Sequence, residues 1–186
     1  MTSYPVGERE AERLAAVLNC GILDTADDPK FDRITRIVCH ALRVPMALIS
    51  IVDERRQWFK SRHGLDVRET PREWAFCAHA ICGTAPFVVR DATADPTFSS
   101  NPLVTGPPHI RFYAGMPLLD RSGLALGTLC VLDVVPRELS TEDFATLHDL
   151  GEFCAHIIMV DRAKDEHEGV THPPVGGADA ATSGTV

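Results

Sequence analysis

The chain has 186 residues, with 18 basic against 26 acidic side chains and a formal charge of −8. That balance argues against nucleic acid, whose phosphates need a basic face, and against an anionic membrane surface. Apolar content of 45% beside 24% charged fits a folded globular domain. The longest apolar runs, 46–52 and 124–135, are broken by Ser, Gly or Asp and fall short of the roughly 20 residues a spanning helix needs. The opening Met-Thr-Ser-Tyr-Pro has neither the basic start nor the apolar stretch of a signal peptide, so a cytoplasmic protein is expected. Six scattered cysteines without a C-x-x-C pair then read as reduced thiols, mostly small core residues.

In chain order, residues 8–19 place Ala11, Leu14, Ala15 and Leu18 at helical spacing, and Gly21 stops them. Pro29 opens a second helix with Phe31, Ile34, Ile37, Val38, Ala41 and Leu42 as its stripe, ended by Pro45. The runs 46–52 and 57–63 predict a hairpin turning at 53–56, with Arg55, Arg56, Lys60 and Arg62 as a solvated basic stretch. A short helix over 74–82 and a strand at 87–89 follow. Residues 92–108 are turn chemistry, and so long a loop is expected to cover something functional. A second hairpin spans 110–118 and 124–133. Ser140, with Asp143 as a variant capping box, then opens a long helix carrying Phe144, Leu147, Leu150, Gly151, Cys154, Ile157 and Ile158. The pattern is α+β, antiparallel hairpins with helices gathered on one face. One domain is expected over 1–162, and the polar segment 163–186, without aromatics, as a disordered tail.

Particular motifs narrow this. Ile22-Leu23-Asp24-Thr25, Phe31-Asp32-Arg33-Ile34, Val44-Pro45-Met46-Ala47-Leu48-Ile49-Ser50, Gln57-Trp58-Phe59-Lys60-Ser61 and Glu69-Thr70-Pro71-Arg72 occur in order. Phe76-Cys77-Ala78-His79-Ala80-Ile81, Asn101-Pro102-Leu103-Val104, Ile110-Arg111-Phe112-Tyr113-Ala114-Gly115 and Leu126-Gly127-Thr128-Leu129-Cys130-Val131-Leu132-Asp133 follow. Together these resemble a GAF domain, of the subtype at the N-termini of bacterial sensor histidine kinases and diguanylate cyclases. The resemblance implies a central antiparallel sheet with the terminal helices on one side and a ligand cavity under mobile loops on the other. It also implies a non-catalytic sensory domain that signals through its terminal helices. Ala75 and Thr97 depart from the subtype, which usually has serine and arginine there. No kinase or cyclase domain follows, so a separate histidine kinase or cyclase is the expected output partner.

Seven residues are expected to bind a small molecule of unknown identity: Phe76, Cys77, His79, Asp91, Asn101, Arg111 and Tyr113. Six of them, all but Asn101, flank the long loop and are expected to converge on one pocket, and the resemblance places Asp91, Asp95, Asn101, Arg111 and Tyr113 at the cavity mouth. Arg111 can meet an anionic or zwitterionic ligand, or Asp91 and Arg111 can simply brace the loop. A metal at Cys77, His79 and Cys82 is disfavoured, since helical positions two apart point about 200° apart. Cys39-His40 reads as a core cysteine beside a surface histidine rather than a bilin or haem site. The alternatives to a sensor are a cysteine-dependent free methionine sulfoxide reductase, for which Ile81-Cys82-Gly83-Thr84-Ala85 is the superficial match, and a ligand-free dimerisation module. The reductase needs a resolving cysteine, and residues 65–74 and 92–109 contain none. The last helix suggests a homodimer, because Phe144, Leu147, Gly151, Cys154, Ile158 and Asp161 follow an alternating three-and-four spacing.

Overall fold

The computed structural model describes residues 4–169, with side chains described through Arg162. Helix α1 (Glu10–Asn19) and helix α2 (Pro29–Leu42) lead into strands β1 (Met46–Val52), β2 (Arg56–His63) and β3 (Glu69–Pro71). A 3-10 turn (Arg72–Trp74), helix α3 (Cys77–Ala80), strand β4 (Phe87–Val89) and helix α4 (Pro102–Thr105) follow. Strands β5 (Phe112–Leu119) and β6 (Ala125–Asp133) precede helix α5 (Thr141–Gly169). All pairings are antiparallel, in the spatial order β3-β2-β1-β6-β5-β4. The two expected hairpins thus join through their long strands, β1 against β6, and this α+β sheet is buried on both faces.

Burial on both faces explains why the central strands are almost wholly apolar. Ala47, Ile49 and Ile51 of β1, Ala114, Met116 and Leu118 of β5, and Leu129 and Val131 of β6 point toward the helices. They pack against Ile34 and Val38 of α2 and Leu147, Cys154 and Ile158 of α5. The alternate residues, Met46, Leu48 and Val52, Tyr113, and Cys130 and Leu132, point to the other face, under the loops. Gly151 lets α5 approach β5 closely, since a Cβ there would lie 2.7 Å from Met116 Cγ.

Helix ends follow the local chemistry. Asp28 caps α2 by accepting from Lys30 N, with Pro29 at the first position. Ser140 and Asp143 make the reciprocal box at α5: Asp143 N donates to Ser140 Oγ (3.1 Å) and Ser140 N to Asp143 Oδ2 (2.9 Å). Helices α2 and α5 run antiparallel, because Lys30 Nζ meets Asp161 Oδ2 (2.7 Å) at one end and Arg137 Nη2 reaches Arg43 O (2.8 Å) at the other.

Three expectations change. Lys60 is not a solvated residue of a basic stretch: a bulge between Ile49 and Ser50 pairs Ile49 with Ser61 and Ser50 with Phe59, leaving Lys60 as the extra residue. It turns under α2, buried, with Nζ donating to Thr25 Oγ1 (2.8 Å) and Ala26 O (2.7 Å). Helix α5 continues through Gly169, into the segment read as a tail; residues 170–186 lie outside the described residues. Most of the supposed dimer seam is core, with Leu147, Gly151, Cys154 and Ile158 buried, since these positions face the sheet. The cysteine of Cys39-His40 is buried and the histidine exposed, as read.

Candidate functional site

On the face away from the long helices, the 3-10 turn, α3, α4 and their connecting loops form a cover over β1, β5 and β6. Between cover and sheet lies a cavity of about 400 Å³. Met46 and Leu48 (β1), Phe59 (β2), Tyr113 (β5), and Cys130 and Leu132 (β6) form its floor. Trp74, Phe76, Cys77, Leu103 and Ile110 form its roof, and exposed Asp66, Val67 and Glu69 carry it to the surface.

Aromatic stacking seats the roof. The Phe76 ring stacks on Phe98 (centroids 4.2 Å apart) and on Tyr113 (5.2 Å), so α3 is pinned between the loop and the sheet. Tyr113 can lie there because Gly115, two residues along the same face, has no Cβ to strike its hydroxyl. Directly beneath α3 the Cys77 sulfur gathers polar neighbours. Tyr113 OH (3.3 Å) and Thr128 Oγ1 (3.1 Å) both donate to Cys77 Sγ, and Cys130 Sγ lies 3.8 Å away. Burial pushes the Cys77 thiol up, but donors from Cys130, Ser50, Thr128 and Tyr113 outweigh it and bring the thiol below its ordinary value. Cys130, fully buried beside it, is pushed well above.

Of the seven expected ligand residues, Phe76, Cys77 and Tyr113 line this cavity. The other four serve the cover. Half-buried His79 packs edge-on to Phe98 (4.8 Å), and burial lowers its imidazole below the ordinary range. Asp91 Oδ1 accepts from Thr93 N (3.0 Å) and Thr93 Oγ1 (2.6 Å), closing a turn. Asn101 caps α4 through Leu103 N (2.9 Å) while its Nδ2 donates to Trp74 O (3.0 Å). Arg111 Nη1 donates to the carbonyls of Val104, Ile110 and His109 at 3.0–3.1 Å. Arg111 thus braces the loop through Nη1, and among the described residues no Lys or Arg side chain lines the cavity.

The sequence reading passed over Gln57 and Thr70. Both are buried in the cavity wall, and Gln57 Nε2 donates to Thr70 Oγ1 at 2.9 Å while Gln57 Oε1 has no partner among the described residues. Two-residue alternation carries the missing signal: Gln57 must share a face with Phe59, opposite Trp58. Cys82 lies outside the cavity; it is exposed, donates to Ala78 O, and its thiol is raised, first by burial of the sulfur and then by Glu10.

This arrangement of sheet, helices and covered cavity coincides with the GAF domain family, which matches residues 28–158. The chain belongs to the GAF domain family. It is 46% identical over 160 residues to a cyclic di-GMP phosphodiesterase of Pseudomonas aeruginosa, a match covering 86% of this chain but only 27% of that protein. Its fold is that of the GAF domain from an Acinetobacter phosphoenolpyruvate-protein phosphotransferase, with a TM-score of 0.63, 18% identity, and 94% and 100% of the two chains covered. It also matches a domain of a two-component sensor histidine kinase protein from Sinorhizobium meliloti, with a TM-score of 0.61, 16% identity, and 78% and 99% covered. The GAF fold expected from the motifs is thus present. Among the described residues, no helix of this GAF domain is long and apolar enough to cross a membrane.

Proposed function

We propose that this GAF domain is a non-catalytic sensor that binds a small, mainly apolar molecule in the cavity and signals through α1 and α5 to an output enzyme. The observation that carries this reading is the cavity itself: about 400 Å³, walled by Met46, Leu48, Phe59, Trp74, Phe76 and Tyr113, with one unpaired amide oxygen at Gln57. A buried acceptor without a partner costs about 1–3 kcal/mol, and a ligand bearing one donor recovers that while burying apolar surface. The lack of a Lys or Arg in the lining, among the described residues, supports a neutral ligand over the anionic one considered for Arg111.

The names of the relatives support an enzyme as output, a histidine kinase in one and a cyclic di-GMP phosphodiesterase in the other. The second adds a class beyond the kinase or cyclase first expected. Assembly as a homodimer through exposed parts of the helical layer completes the proposal, in the cytoplasm of a bacterium. Cys82, the residue on which a methionine sulfoxide reductase reading rests, is turned away from the cavity, which favours the sensor. Native mass spectrometry of protein purified from its own host tests the binding. A bound molecule of a few hundred daltons should appear, and Leu103→Trp, which fills the cavity from the cover, should remove it while circular dichroism stays unchanged. Wild-type protein that is ligand-free and gains no thermal stability with 2-naphthol, a neutral one-donor probe, would overturn the reading.

A further inference from the structure

Cys77 and Cys130 meet across the cavity wall, one on the roof and one on the floor, with sulfurs 3.8 Å apart. We infer that Cys77 and Cys130 form a redox-modifiable pair, oxidised to a disulfide by a hydroperoxide that enters the cavity. Neither sulfur is committed to a structural disulfide, and both are thiols. Sulfurs joined in a disulfide lie about 2 Å apart, so rotation of the two side chains has to close the remaining gap.

The environment assigns the order of events. Cys77 Sγ is the acceptor of two hydroxyls, Tyr113 and Thr128, which favour its thiolate, whereas buried Cys130 stays protonated. The Cys77 thiolate attacks one peroxide oxygen; an S–O bond forms, the O–O bond breaks, and the other oxygen leaves as hydroxide or alkoxide, taking up a proton. Cys77 is then a sulfenic acid, oxidised by two electrons. Cys130 sulfur attacks it next; the S–S bond forms, the S–O bond breaks, and hydroxide leaves as water with the Cys130 proton. The sum is two thiols and a hydroperoxide giving a disulfide, an alcohol or water, and a second water. A disulfide would tie α3 to β6 and change the roof of the cavity that the sensor reading assigns to a ligand. The chemistry itself needs no ligand, only access for a small oxidant past the exposed 66–69 rim.

The test is a titration of the purified domain with hydrogen peroxide, followed by thiol counting after denaturation and peptide mapping without reduction. Free thiols should fall from six to four, six minus the two joined, with a linked peptide holding residues 77 and 130 that dithiothreitol releases. Cys130→Ser should stop at the sulfenic acid and yield a dimedone adduct on Cys77, and Cys77→Ser should leave residue 130 reduced. Absence of the 77–130 peptide, through loss of exposed Cys82 alone or retention of all six thiols, overturns the pair. Because the oxidation is read without a ligand, its failure leaves 2-naphthol binding to be judged independently.

Discussion

Glu10 is the acid on which two buried guanidinium groups converge. Its Oε2 accepts from Arg13 Nε (2.8 Å) and its Oε1 from Arg72 Nη1 (2.6 Å), and both arginines are almost fully buried. Arg13 Nη1 also donates to Val52 O (2.7 Å) and Arg72 Nη1 to Asp53 O (2.9 Å), so the cluster ties α1 and the 3-10 turn to the end of β1. Burial would raise the Glu10 carboxyl, but hydrogen bonds from Arg13 and Arg72 bring it down to about 2 from 4.5. With its folded value depressed, Glu10 stabilises the fold above pH 4.5, and that contribution is lost as pH falls toward 2. Glu10→Gln should therefore lower the Tm at pH 7 and flatten its dependence on pH across that window; an unchanged acid limb in a thermal melt series would refute the coupling. Tyr113 gives a second case at this scale. Gly115→Ala puts a methyl where its hydroxyl lies, so roughly 1–3 kcal/mol of stability should be lost. A urea titration within experimental error of wild type would contradict that close packing. Neither Glu10 nor Gly115 is marked as special by its neighbours in the sequence, because both roles depend on partners in other elements.

At the scale of elements, what reads directly from sequence is what local chemistry dictates. The β-branched runs of β1 and β6, the Pro29 entry to α2 and the Ser140–Asp143 box at α5 all form as their patterns require. Strand β3 is only Glu69–Pro71 and has no periodicity to detect; pairing with the edge of β2 alone makes it a strand. The segment 74–82 divides into a 3-10 turn and α3, since Ala75 adopts an extended conformation between them. The site was half legible for the same reason. Cys77 and Tyr113 sit in regular elements whose side-chain direction follows from spacing, with Phe76 at the N-cap of α3, whereas Asp91, Asn101 and Arg111 lie in loops whose polar groups bond to nearby backbone and side chains. Two measurements probe these devices. Ser140→Ala should cost about 1 kcal/mol in chemical denaturation, the ordinary value of a helix cap. Arg111→Ala leaves the carbonyls of Val104, His109 and Ile110 without their donor, so about 2 kcal/mol should be lost, with faster amide exchange confined to 100–110. Global exchange, or none, would show that Arg111 does not hold the cover.

For the whole molecule, the two faces of the sheet divide the work: one is closed by helices and solid, the other roofed and hollow. A signal between them must cross the strands, whose alternate residues touch both layers: Tyr113 under α3 is followed by Ala114 in the helical core, and Cys130 on the cavity floor by Val131 beneath the helices. The proposed assembly falls to the outer side of the helical layer. Because Leu147, Cys154 and Ile158 already face the sheet, a partner has to use what remains uncovered: Leu18 on α1 (70% exposed), Ile37 on α2 (50%) and Phe153 on α5 (56%). The antiparallel run of α2 and α5, fixed by Lys30 against Asp161, brings Ile37, seven residues along α2, to about the level of Phe153, eight residues back along α5. Large apolar groups so placed are costly in water and suit a second copy of the same face. Sedimentation equilibrium at micromolar concentration should therefore give twice the 20.3 kDa chain mass. Phe153→Asp should return it to one chain with a nearly unchanged thermal melt, because that side chain is exposed and lies outside the buried core. Ile158→Lys places a charge in the core and should instead unfold the domain. A wild-type mass that stays at one chain would defeat the dimer, and an Ile158→Lys variant that separates while remaining folded would return the interface to the inner seam.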